Sequence, residues 1–174
     1  MNDKTERTAG QVGDRDQLWE LIKDIKFAMF TTRHENGHLH SRPMTTQNGA
    51  IDEDSSLWFF MSARSEVVAD IAVDPAVAVA YADTDADNYV SVSGRARVVD
   101  DMAKKKKLWS KLTEAWFPGG VSDPDLALVQ VSILHADYWE SKDGKLTQLL
   151  KMATAAVSGH PPTDMLEHGR VQMK

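Results

Sequence analysis

The chain has no cysteine among its 174 residues, which excludes disulfides, thiolate nucleophiles and cysteine-ligated metals. Redox chemistry would therefore need a cofactor. No run of about 20 apolar residues exists to cross a bilayer as a helix. The opening MNDKTERTAGQVGDRDQ holds no apolar core of the length a secretory signal needs, so the expectation is a cytoplasmic protein with no membrane attachment. Positive charge is in deficit, with 20 Lys and Arg against 26 Asp and Glu and a net charge of -6. That balance disfavours a polyanionic partner, so no nucleic acid is expected. The chain carries no G-x-x-x-x-G-K-[ST] phosphate loop and no G-x-G-x-x-G fingerprint, and no G-x-S-x-G elbow for a hydrolase nucleophile. Internal repeats and low-complexity segments are missing too.

What is present is ordinary for a globular protein, 42% hydrophobic and 26% charged, with length for one domain and a real core. We read a flexible segment over 1–14, one domain over 15–157 and a tail over 158–174. Leu18, Trp19, Leu21, Ile22 and Ile25 recur at helical spacing, predicting an amphipathic helix over about 15–26 that lies on a sheet. Strands at 27–33 and 38–46 are joined at Glu35-Asn36-Gly37, where Asn-Gly favours a tight hairpin. With Asn36 and Gly37 as the loop, Glu35 pairs with His38 and Arg33 with His40. His34, His38 and His40 invite a metal reading, but that register sets a cation beside the site.

The run Leu57 to Met61, LWFFM, reads as a buried strand. Trp58 and Phe60 face one side and Phe59 the other. A turn at 62–65 opens a helix ending ahead of Pro75, and its backbone amides and hydroxyls offer a place for an anionic group. Strands follow at 76–82 and 89–99, the second with Gly94 as a bulge or bend that lets a sheet curl. One helix is expected over 100–116, burying Met102, Leu108, Leu112 and Trp116, with Lys104 to Lys107 as a solvated face. A long strand ends at Tyr138-Trp139-Glu140, and LTQLLKMATAAV is a further helix candidate. Six strands with flanking helices, mostly hairpin-connected, predict a mainly β fold with α (α+β) built on a curled antiparallel sheet.

HSRPM at 40–44, LWFF at 57–60, YVSVSG at 89–94, AWFPGG at 115–120, DPDLAL at 123–128 and DYW at 137–139 occur in an order that resembles the FMN-binding split-barrel family. That family includes the pyridoxamine 5'-phosphate oxidases, and the likeness is to its general stress protein 26 branch. The resemblance implies a six-stranded antiparallel split β-barrel that forms a homodimer, with FMN at sites shared between protomers. It further implies that Arg42, Pro43 and Met44 run beside the flavin, with Phe60, Met61 and Ser62 on the adjacent strand edge. Arg64 and Ser65 would sit at the phosphate, and Tyr89, Trp116 and Trp139 are the remaining cofactor-binding candidates. Trp139 matches a residue that the oxidases supply from the partner subunit.

One departure stands out. Where the oxidases carry an Arg-Lys pair for the phosphate, this chain has Glu66-Val67, and an acid beside a dianion opposes binding. Arg64 is then the substitute base. Taken alone, Arg42 reads as a structural ion-pair partner and Trp139 as a dimer plug or a flavin contact. The function implied is a flavin-dependent oxidoreductase or stress protein. The alternatives are a flavin-binding protein without turnover and a dimer that has lost its flavin. No catalytic residue is assigned.

Overall fold

A computed structural model describes residues 14–141 and 167–173. The first helix (α1) covers 14–22 and buries Leu18, Leu21 and Ile22, while Trp19 and Ile25 pack at the edge of the same core. This is the face its spacing predicted. Strand β1 (Ala28–Arg33) alternates inward Ala28, Phe30 and Thr32 with outward residues, as period-two patterning requires. Strand β2 (Leu39–Met44) returns antiparallel to it.

The hairpin register is one residue from the expected one. Thr32 pairs with His40 and Arg33 with Leu39, and the His34 amide donates to the His38 carbonyl at 2.8 Å. The loop is therefore Glu35-Asn36-Gly37, with Gly37 at φ +83° and Asn36 Oδ1 accepting from the His38 amide at 3.0 Å. A left-handed third loop residue is glycine's role in three-residue hairpins. A slip of one residue changes which side chains share a face. Here it stacks the His34 and His40 rings at 5.1 Å and sets Thr32, not Arg33, opposite His40.

The remaining elements are β3 (Ser56–Ser62), α2 (Glu66–Val73), β4 (Ala76–Asp83), β5 (Asn88–Val99), α3 (Met102–Leu108), α4 (Lys111–Glu114), β6 (Leu126–Glu140) and β7 (Glu167–Gln172). A short 3-10 turn, Gly120–Ser122, precedes β6. All strand pairs are antiparallel. The sheet runs β2-β1-β4-β5-β6-β3, with β7 beside the second half of β6. Thus the six expected strands are joined by a seventh from the segment read as a tail, and its Val171 joins the core. The helix candidate LTQLLKMATAAV lies outside the described residues. Among the described residues no helix is long and apolar enough to cross a membrane.

Two apolar clusters hold the sheet. The larger lies inside its curl, where Phe30 meets Phe59 edge to face at 5.2 Å amid Leu57, Val79, Val92, Val129 and Val131. The smaller lies on the other face of β3, where Trp58 and Phe60 join Leu126 and Leu128 beneath Leu108, Trp109 and Phe117. That cover corrects the reading of 100–116 as one helix. Trp109 is extended and Ser110 caps a new helix, its Oγ accepting from the Thr113 amide, so the helical register restarts. Met102, Leu112 and Trp116 consequently stay out of the core and exposed, Trp116 at 79%. The lysine run is likewise not wholly a solvated face. Lys104 Nζ lies 4.5 Å from the Trp58 ring centre, and Lys105 Nζ donates to the Leu126 carbonyl at 3.0 Å.

The long strands β5 and β6 pair along their whole length except at one bulge. Ser93 pairs with His135 but Gly94 with Ile133, leaving Leu134 as the extra residue. Bulges sharpen the local bend, and Gly94 permits this one, since a Cβ there would lie 2.6 Å from the Ser132 carbonyl oxygen and 2.7 Å from Val131 Cγ1. Gly94→Ala is expected to destabilise the fold by about 1–3 kcal/mol, read as a lower urea midpoint. An unchanged midpoint would show that β5 and β6 separate freely at this point.

Candidate functional site

Two of the free edges among the described strands, β2 and β3, are brought together by the curl of the sheet at one end only. There Thr46 bridges to Phe59, the Gln47 amide donates to the Trp58 carbonyl at 2.8 Å, and Thr46 Oγ1 bonds the buried Tyr81 hydroxyl at 2.7 Å. Burial pushes the Tyr81 phenol up, so it stays protonated. Beyond this closed end the strands part around a cavity of about 440 Å³, a size suited to a small-molecule ligand. Pro43, Met44, Thr45 and Gln47 form one wall and Phe60, Met61 and Ser62 the other. Leu112, Thr113, Trp116 and Phe117 roof it, with Lys26 and Phe27 at one side and Asp125 at another. Parted strand edges present backbone N–H and C=O groups without ladder partners, so a ligand here meets apolar walls and a polar seam. A wider depression, about 560 Å³ beside Arg15, Asp16 and Asp52 to Asp54, has no parted strand edges.

Next to the cleft lies a buried polar network. Asp70 of α2 is 4% exposed. Its Oδ2 accepts from Thr32 Oγ1 at 2.6 Å, and its Oδ1 lies 2.8 Å from His34 Nδ1. Arg42 Nη1 donates to Thr32 Oγ1 at 2.9 Å, while Nη2 stands 3.4 Å from Glu66 Oε2 and 3.6 Å from Asp70 Oδ2. Burial works to raise the Asp70 carboxyl, but the Thr32 and His34 hydrogen bonds and the charges of His34 and Arg42 outweigh it and hold it below its ordinary range. The bond to Asp70, opposed by desolvation, raises His34.

Of the residues named from sequence, Pro43, Met44, Phe60, Met61, Ser62 and Trp116 line the one cavity. Arg42 is held in the Asp70 network instead. Arg64 is 85% exposed and its Nε bonds Asp125 Oδ1 at 3.0 Å, and that bond, with one from Ser62, holds the Asp125 carboxyl low. Ser65 caps α2, accepting from the Val68 amide. Tyr89 and Trp139 face each other across β5 and β6, and the Trp139 ring stacks on His168 at 5.2 Å. Ser62 pairs with Leu126, so Trp139 lies thirteen residues along β6, roughly 40 Å of strand. Within one protomer these two aromatics are remote from the cleft. Sequence reasoning missed Lys26, Phe27, Thr45, Gln47, Leu112, Thr113, Phe117 and Asp125. Gln47, Phe117 and Asp125 fall within or beside the RPM, AWFPGG and DPDLAL motifs, whereas nothing local marks Lys26.

A curled antiparallel sheet whose edges part over a ligand-sized cavity defines a split-barrel protein. The model of the family described as pyridoxamine 5'-phosphate oxidase like matches residues 13–163, and the chain belongs to that family. Among solved structures it is similar to a general stress FMN/FAD binding protein of Xanthomonas citri, with 29% identity, a TM-score of 0.66, and coverage of 76% of this chain and 92% of that one. A general stress protein 26 assignment from Jannaschia sp. CCS1 superposes with a TM-score of 0.71 over 95% of this chain and 99% of that one at 21% identity, a likeness of fold. Protein bli-3 of Neurospora crassa is 29% identical over 158 residues, 84% of this chain and 74% of that protein.

The Asp70 network makes stability depend on pH in a defined window. Asp70, whose carboxyl is lowered from 3.8, contributes fully above that value and loses its contribution as pH falls through the folded pKa. His34, raised from 6.5, contributes fully below that value and loses its share as pH rises through its folded pKa. The pair therefore stabilises most between about pH 4 and 6.5. Asp70→Ala should cost roughly 3 kcal/mol in that window and flatten the decline above it. Denaturant midpoints across pH measure both, and a variant with the parent's pH profile would remove the network's role.

Proposed function

We propose that this chain is a flavin-binding protein of the split-barrel family, acting as a homodimer in which the β2–β3 cleft holds the flavin. The carrying observation is the cleft itself, with apolar walls from Met44, Phe60, Leu112 and Phe117 and a polar strand seam. That combination suits a flat, largely apolar ring with hydrogen-bonding edges. The Xanthomonas neighbour's description as an FMN/FAD binding protein supports the same ligand class. FMN is the form we expect.

The position of the aromatics supports the dimer. Tyr89 and Trp139 can approach a cleft only from a second copy, given the length of β6 between them and Ser62. The outer face of the sheet offers an apolar strip for such docking. Met29, Ala78, Ala80 and Leu134 lie exposed there, bordered by Arg95 opposite Ala76 and by Asp137 opposite Ser91.

A bound flavin supplies hydride or electron transfer without needing a protein nucleophile. The chain's share is to hold the ring, exclude water with Phe60, Leu112 and Phe117, and limit what reaches it. We assign no acid or base. Asp125, the carboxylate lining the cleft, is held ionised by Arg64 and Ser62, which unsuits it as a general acid near neutral pH. That observation favours a second reading, a flavin carrier without turnover, and assays of NAD(P)H oxidation separate the two.

FMN titration should saturate at one per protomer, and sedimentation should give a dimer at micromolar concentration. A monomer that binds FMN fully would overturn the shared site. The charge at α2 gives a second expectation. Relief of the carboxylate by Glu66→Gln should tighten FMN severalfold and leave riboflavin, which lacks the phosphate, unchanged. Equal effects on both ligands would move the phosphate away from α2.

A further inference from the structure

The two ends of the cleft differ in chemistry. At the open end Ser62, Arg64 and Asp125 are bonded to one another, and Arg42 is engaged by Thr32, Asp70 and Glu66. Both arginines near that end already face carboxylates. At the closed end the polar groups have bonding capacity left. Ala28 pairs with Met44, so the chain before it, Phe27 and Lys26, runs beside Thr45 and Thr46. Lys26 is exposed and lines the cavity, and its Nζ lies 5.2 Å from the Phe27 ring centre. Gln47 lines it beside Thr113, whose Oγ1 donates to Gln47 Oε1 at 3.4 Å, and Gln47 Nε2 donates to the Thr45 carbonyl at 3.0 Å. An amide has two donor hydrogens and an oxygen with two lone pairs, and an ammonium has three donors. Half of the Gln47 amide and the Lys26 ammonium therefore have capacity for a ligand.

We propose that Lys26, Gln47 and Thr113 form a cyclic-imide recognition site at the closed end of the cleft, reading the pyrimidine edge of the flavin. An imide edge presents acceptor, donor, acceptor: carbonyl, N–H, carbonyl. Its complement is donor, acceptor, donor, which the Lys26 ammonium, the Gln47 Oε1 and the second Gln47 amide hydrogen supply, while the Thr113 hydroxyl, donating to Gln47 Oε1, fixes the amide. Burying that edge among Phe60, Met44 and Phe117 without such partners would be costly, and Lys26, Gln47 and Thr113 line the same cavity, with Thr45 beside them. Lys26 adds a positive charge where the reduced ring carries its negative charge. The assignment orients the ring, imide toward the Thr46–Phe59 bridge and side chain toward Ser62. It rests on the flavin reading above and adds to it the residues that set ring specificity.

The test sets ring-only ligands beside riboflavin and FMN, so that ring and phosphate contributions are read separately. Lumiflavin, 3-methyllumiflavin, riboflavin and FMN are titrated into the full-length protein and into Lys26→Met, Gln47→Leu and, as control, Lys106→Ala. Removing a charged hydrogen bond should weaken binding about tenfold. Lys26→Met is expected to do so for lumiflavin, riboflavin and FMN alike. 3-Methyllumiflavin, which has no imide N–H, should bind the parent about tenfold more weakly than lumiflavin, and Gln47→Leu should erase that difference. Bound flavin should also become harder to reduce in Lys26→Met, by about 30 mV for each tenfold of lost preference for the reduced ring. A loss confined to FMN would place Lys26 at the phosphate and overturn the assignment. So would binding by Lys26→Met and Gln47→Leu that matches the Lys106→Ala control. A parent protein that binds none of the four ligands would instead overturn the flavin reading, and this inference with it.

Discussion

The architecture depends on one strand. β6 pairs with β5 from Leu128 to Glu140 across one bulge, yet on its other edge its first half is flanked by β3 and its second by β7. Two different neighbours along one edge mean that the sheet must turn between them. The turn falls where Leu134 bulges against Gly94, because backbone can approach that closely only without a side chain. The curl carries β3 round toward β2, and the Thr46 bridge stops the two edges from pairing further. The cleft is thus a consequence of incomplete closure. A closed barrel would have paired those edges and left no strand seam for a ligand.

Legibility in the sequence followed how local each cause is. Strand alternation in AVAVAYA and the buried run LWFFM are short-range patterns, and both became strands at their expected places. Gly94 interrupting an alternating strand marked the bulge for the same reason. The hairpin failed by one residue because Asn-Gly suits a two-residue loop, whereas Asn36 capping the His38 amide favours the three-residue one. The helix over 100–116 failed because apolar spacing does not register a serine that restarts the helix at 110. β7 escaped notice because EHGRVQ has a single apolar residue, Val171, and is a strand only through its pairing with β6. For the cleft, motif residues from β2 and β3 were visible while Lys26 and Thr113 were not. Their membership depends on a meeting of segments far apart in the chain.

The same locality explains why Arg42 carried two readings. As a residue in an RPM strand it resembles a flavin contact, and as a lone arginine it suggests an ion pair. Its guanidinium in fact completes the Asp70 network, which fixes α2 against β1 through Thr32 and His34. A buried carboxylate needs such partners, since without them its desolvation would strongly oppose folding. Arg42 is therefore a structural cation first, and any ligand anion must compete with Asp70 and Glu66 for it.

That competition bears on how a ligand is held. A phosphate docking at the start of α2 would meet Glu66, 67% exposed, and an Arg64 already on Asp125. Both the Arg42–Glu66 and Arg64–Asp125 contacts are at least partly solvated, so each is weak and each can be exchanged. The net field there is nevertheless close to neutral, unlike a pocket built around free bases. For the proposed flavin, affinity would then come mainly from the ring, through the apolar walls of Met44, Phe60 and Phe117 and the polar closed end. Burial of a flat ring against such walls scales with its area and is insensitive to salt, whereas phosphate binding to exposed bases weakens as salt rises. As a flavin site, a cleft of this construction would rank its ligands by ring chemistry before phosphate, which is the opposite order from a pocket organised around a basic pair.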